Sequence, residues 1–183
     1  MNNLKPIIFL FPVIALILIA ILYITLQKKV TNKSAFNSLI LIITVFAFFL
    51  NLLWELLQMP LYDRASFTIN HTTFCALGAV ADAIMVLLLY LGCALIFKTP
   101  FWIHQLKWQR IVILVITGGI GAALSEMRHL SLGNWAYSDV MPLIPIINVG
   151  ILPVLQFMIL PVFTYILSFY GLKIINSKNL NLE

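Results

Sequence analysis

Five apolar runs, at about 6–27, 36–59, 74–97, 111–127 and 147–172, dominate this 183-residue chain. Each meets the roughly 17–25 residues that a helix needs to cross a hydrocarbon core about 30 Å thick. Between them the connections are short. Hydrophobic residues make up 62% of the chain and charged residues 9%, against about 25% charged in soluble domains. So few charges could not solvate a surface of this size, and lipid is the expected solvent. The fold class is therefore all-α, a polytopic transmembrane helical bundle of about five spans. It forms a single integral membrane domain over residues 1–183, with no room for a soluble module. The first run is too long for the apolar part of a signal peptide. Only Lys5 precedes it and no small-residue cleavage site comes before Lys28, so it is read as a retained span.

Cations set the orientation, because Lys and Arg collect in cytoplasmic loops. Five spans place the termini on opposite sides. Lys28, Lys29, Lys33, Lys98, Lys107, Arg110, Lys173 and Lys178 fall on one side, and Lys5, Arg64 and Arg128 on the other. The richer side is expected to be cytoplasmic, with the N-terminus and the segments 60–73 and 128–146 outside. This topology accounts for the net charge of +5, and no nucleic-acid partner is expected. Segment 99–110, with Trp102, Lys107, Trp108 and Arg110, reads as a short interfacial helix at the cytoplasmic surface. Segment 128–146, with Gly133, Trp135, Tyr137, Pro142 and Pro145, reads as an ordered outer loop. The tail after Lys173 is polar and Asn-rich and reads as frayed. Cys75 and Cys93 lie 18 residues apart in one run, roughly 27 Å along a helix, too far to bridge.

A polar group inside an apolar run is costly, roughly 2.5–3.5 kcal/mol for an ionisable one on insertion scales, and normally faces protein. In the second run Asn51, Glu55, Gln58 and Tyr62 recur at helical spacing on one face, with Thr44 extending the stripe inward. The third run carries Asp82, with Cys75, Gly78 and Met85 on nearly the same face. The second helix is expected to end near Pro60, which puts Glu55 and Asp82 in the outer half. The fourth run ends outward at Ser125 and Glu126. The fifth enters with Asn148, Gln156 and a helix-bending Pro153. These groups converge on the outer half, with no comparable set expected in the cytoplasmic half.

Two readings of that convergence compete. Carboxyls sharing a dry pocket can split their titrations and act as general acid and base, which makes Glu55, Asp82 and Glu126 the candidate catalytic groups. Alternatively, Asn51, Gln58 and Gln156 with the acids are interhelical glue. A metal reading rests on Glu126 and His129, one Glu-x-x-His where helical di-metal bundles use two, and on His71 with Cys75 at i, i+4. Against it, His71 and His129 read as ordinary residues at the wet interface. Small residues at Gly118/Ala122 and Gly121/Ser125 permit close helix approach, within the chain or between copies as a homo-oligomer.

Two stretches carry a resemblance. One is Trp54-Glu55-Leu56-Leu57-Gln58-Met59-Pro60-Leu61-Tyr62. The other starts at Glu126 and continues through Gly133-Asn134-Trp135-Ala136-Tyr137, Met141-Pro142 and Pro153-Val154-Leu155-Gln156. With the segment from His71 to Asp82, they resemble a family of small bacterial multi-pass membrane proteins of uncharacterised activity. That resemblance implies a bacterial inner-membrane location. The order Glu, Gly-x-Trp-x-Tyr, then a Pro-rich turn into a helix is also similar to carotenoid-modifying membrane proteins, the hydratases and small lycopene cyclases. In those families acidic residues protonate an isoprenoid double bond. The similarity implies Glu126 as acid, with Trp135 and Tyr137 lining the pocket. The cyclases carry a double glutamate where this chain has Leu155-Gln156.

Three functions follow as expectations. The first is acid/base chemistry on a lipid or isoprenoid, with Glu55, Asp82 and Glu126 as reacting groups. Asn51, Gln58, Tyr62, His71, Trp135, Tyr137 and Gln156 would then be substrate-binding. The second is a non-enzymatic carrier or membrane assembly subunit. The third is a metal site at the outer face. The expected partner is membrane lipid, and no cofactor is legible.

Overall fold

The computed structural model of the chain describes residues 10–63 and 65–180, with side chains through Ile175. The start of the first run, Lys5 and Arg64 lie outside the described residues, as does the side chain of Lys178. Five long helices follow one another: α1 (Leu10–Gln27), α2 (Lys33–Gln58), α3 (Ile69–Ile96), α4 (Trp108–Ser131) and α5 (Ile151–Leu180). All five are long and apolar enough to cross a membrane. A 3₁₀ turn, Met59–Leu61, closes α2 at Pro60, and a short hairpin of β1 (Leu143–Ile144) and β2 (Val149–Gly150) precedes α5.

The helices overrun their apolar runs where polar residues cap them. Asn32 accepts a hydrogen bond from Ala35 N to open α2, and Thr68 accepts from His71 N to open α3. His71 is thus in the first turn of α3 rather than a loop. α4 likewise extends to Ser131, which puts Arg128 and His129 in its last turn, and the connecting loop starts at Leu132. α5 starts later than expected because Val149 and Gly150 pair with the hairpin. Pro153 therefore sits in the first turn, where its missing N–H costs nothing, and does not bend the helix. The interior proline is Pro161. α5 also continues through Leu180, into the tail expected to fray.

α1 packs on α3, α3 on α2, α2 on α5 and α5 on α4, while α3 and α4 barely touch. The spatial order is α1–α3–α2–α5–α4, an open row curled so that a cleft separates α3 from α4. One end of the bundle, here the lysine end, carries the connections 28–32 and 97–107. The other, the acid end, carries 59–68 and 132–150.

The dense core lies toward the lysine end. Phe36, Leu39, Ile43, Val86, Tyr90 and Tyr165 are buried there from α2, α3 and α5. Segment 99–110 does not lie along the surface as expected. Its 3₁₀ turn, Trp102–Gln105, drives Trp102 into the core. The indole meets Tyr90, Phe97 and Tyr165 at 5.3–5.5 Å between ring centres, and its N–H donates to Tyr90 O at 3.2 Å. Arg110 secures the turn by donating to Trp102 O and Gln105 O. This half also holds buried polar groups, contrary to expectation. They are hydroxyls tied mostly to backbone: Tyr165 to Val86 O, Tyr90 to Pro100 O, Ser168 to Thr164 O.

The α4–α5 seam depends on glycine. A Cβ on Gly118 would sit inside the van der Waals shell of the Phe157 carbonyl oxygen. That carbonyl lies four residues before Pro161, which has no N–H to offer it. The Gly118 backbone takes up that space. Gly118 and Gly119 therefore pack against α5 of the same chain, while Gly121 is exposed with nothing near it.

Candidate functional site

The polar stripe of α2 meets α3 and α5 at the acid end. Asn51 donates to Ala47 O at 2.7 Å and accepts from Gln156 Nε2 at 2.8 Å. Gln156 Nε2 also donates to Asp82 Oδ2 at 2.8 Å. Gln58 Nε2 donates to Glu55 Oε1 at 2.8 Å and to Gln156 Oε1 at 3.2 Å. Each amide nitrogen has two N–H groups, so both are fully used. Trp54 donates to Gln58 Oε1 at 3.2 Å and fixes which way that amide points. Gln156 is the hub, joining three helices through one side chain.

Glu55 and Asp82 are thus linked through Gln58 and Gln156. Glu126 is held from the other wall. Tyr137 OH and Trp135 Nε1 both donate to its Oε2, and Oε1 takes neither bond. The indole of Trp135 stacks on His129 at 4.3 Å. Asn134 Nδ2 lies 2.7 Å from His129 Nδ1, an amide donor against a ring acceptor.

The two loops form a roof. Tyr62 bridges to Tyr137, Asp63 N donates to Ala136 O, and Ser138 N donates to Leu61 O. Burial, and next the bond to Glu126, hold the Tyr137 phenol above its ordinary value of 10. Burial, then the nearby Glu126 and Glu55, raise Tyr62 as well. Both phenols are therefore donors and not bases.

Below the roof lies a cavity of about 850 Å³. Glu55, Asp82 and Glu126 all line it, as do Gln58, Tyr62, His71, Trp135 and Gln156. Asn51 and Tyr137 do not, since they stand behind Gln156 and Glu126 and orient them. Thr44 does not reach this site but lines a small apolar hollow against α1 and α3. From Asp82 the cavity continues as an apolar trough along α3, past Met85, Leu89 and Cys93 to Ile96. Leu77, Leu124 and Ile96 line it and are also exposed, so the trough opens on the flank of the bundle. From His71 to Ile96 the α3 wall spans about 38 Å.

Among the described residues, no three of His, Cys, Asp and Glu stand close enough to hold one metal ion. The Glu-x-x-His pair is engaged by other side chains, Glu126 by Tyr137 and Trp135 and His129 by Asn134 and Trp135. Cys75 and Cys93 are both free.

Sequence reasoning missed Arg128, counted above only as a topological cation, and Phe11. Both line the cavity, and the Arg128 guanidinium stands 4.2 Å from the Phe11 ring centre. The available signal was a cation two residues beyond Glu126, at the edge of an apolar run. No protein-family model, curated protein or solved structure matches this chain, so its chemistry is read from its own residues.

Proposed function

We propose that this is a multi-pass protein of a bacterial inner membrane, N-terminus outside, which performs acid/base chemistry on a lipid or isoprenoid. The observation that supports it most is the cleft itself. Glu55, Asp82 and Glu126, with Asp63 at the roof, line one end of a long apolar trough, and the trough opens sideways where lipid would stand. A water-soluble substrate has no use for such a trough, whereas an alkenyl chain fills it by the hydrophobic effect.

In this reading Glu126 or Asp82 gives a proton to one carbon of a C=C bond. Glu55 takes a proton from a neighbouring carbon. The double bond shifts or a ring closes, with no oxidant or reductant consumed. Gln58 and Gln156 fix the carboxyl orientations and Trp135 offers its face to a cationic centre. A carrier would need a polar route to the lysine end, where the Trp102 cluster stands instead.

The test compares lipid extracts from cells bearing the wild-type chain, a deletion, and Glu55→Ala, with native mass spectrometry of the purified protein. A lipid species that accumulates equally in the deletion and in Glu55→Ala is expected. Identical extracts throughout would sink the reading. Proton flux in proteoliposomes that vanished in Asp82→Asn would favour a carrier.

A further inference from the structure

The trough needs an explanation at its upper end that hydrocarbon alone does not supply. Arg128 Nη1 is sealed from solvent and has no hydrogen-bond partner. Leaving a buried donor on a cation unpaired is costly. A guanidinium that merely snorkelled out to water would have wet N–H groups. Among the described residues, Arg128 is the Lys or Arg on the cavity wall, which it shares with Glu55, Asp63, Asp82 and Glu126. On α4, Glu126 is two residues, about 3 Å, further in.

Resting on the reading above, we propose that the ligand carries an oxyanion head of the phosphate or carboxylate kind, held by Arg128 at the acid end. The planar guanidinium matches such a head in a two-pronged way. The Phe11 ring stands 4.2 Å from the guanidinium carbon and leaves its N–H edge for the head. A head seated there lays the first carbons of its chain past Glu126, Glu55 and Asp82 and the remainder along Met85 to Ile96. The reacting carbons would then lie near the head, not at the tail.

The experiment uses the full chain in mild detergent and two matched pairs of probes. One pair is geranylgeranyl phosphate and geranylgeraniol; the other is dioleoyl phosphatidic acid and dioleoylglycerol. Inorganic phosphate alone is the third arm. In at least one pair the phosphate ester should bind about tenfold tighter, the size of one hydrogen bond to a charged group. Arg128→Gln should reduce that ratio to near one, and Arg128→Lys should restore part of it. Displacement of the ester by millimolar inorganic phosphate would identify a free-anion site and overturn the lipid head. Equal affinities within both pairs for the wild type would overturn the proposal even if Arg128→Gln does not fold, as would an Arg128→Gln ratio unchanged from wild type. If the neutral alcohols still bind, the cleft reading survives that failure. If no chain binds at all, both fall.

Discussion

The two ends of the bundle are built from the same helices and differ in what fills the space between them. At the lysine end a 3₁₀ turn pushes Trp102 among Tyr90, Phe97 and Tyr165, and hydroxyls there bond to backbone. At the acid end a cavity stands between α3 and α4, with Phe11 of α1 on its wall. Polar groups there bond to one another, through Gln156, and face a cavity. Close packing fixes one end, as protein interiors generally require. The other keeps open volume and exposes polar groups to it.

The sharpest way to break that contrast is at the lysine end. Trp102→Ala should cost about 3–5 kcal/mol, read as a shift in the unfolding midpoint in mild detergent. A near-neutral result would mean the ends are equally loose. Next, Gly118→Ala at the α4–α5 seam should cost about 1–3 kcal/mol by overpacking, because the new methyl meets backbone rather than a movable side chain. Unchanged stability would show that the seam gives way freely. At the acid end, Gln156→Leu should cost a similar or smaller amount, about 1–3 kcal/mol, by stranding Asn51 and Asp82. A stabilised variant would reduce the network to expendable glue.

Gly121 lines the cavity, and Gly121→Leu sharpens the comparison from the other side. Its Cβ meets nothing within 4 Å, so stability should hold within about 0.5 kcal/mol while retained lipid in native mass spectra falls. Full lipid retention would place the ligand elsewhere. The smallest effect belongs to His104, outside the long helices. Burial, then Lys173, lowers its pKa below the ordinary 6.5. Proton uptake thus favours unfolding. The contribution is intact above about pH 6.5 and is lost as pH falls toward the folded-state value. The ring's NMR titration should come below that of a free histidine, and His104→Gln should flatten the acid side of the stability profile.

The five helices were legible because apolar run length is a one-dimensional property. The α2 stripe was legible because Asn51, Glu55 and Gln58 share a helical period. Which helix neighbours which was not, since spacing along one helix carries no information about its partners. Thus the sequence gathered the acids by depth, and only the packing of α5 against α2 brings Gln156 to both Asn51 and Asp82. Pro153 and Pro161 are indistinguishable as residues, and where α5 begins decides which one interrupts a bond. Trp102 was misplaced because a tryptophan beside lysines suits an interface as well as a plug.

The roof made by residues 61–63 and 136–138 has a consequence for traffic. With the two loops tied together over the cavity by main-chain bonds, the lipid of the proposed function would have no need to enter from water. It would arrive by in-plane diffusion and slip in edgeways between α3 and α4. Encounter would then scale with its mole fraction among neighbouring molecules, not with its vanishing aqueous concentration, and departure would return it to the same two-dimensional pool.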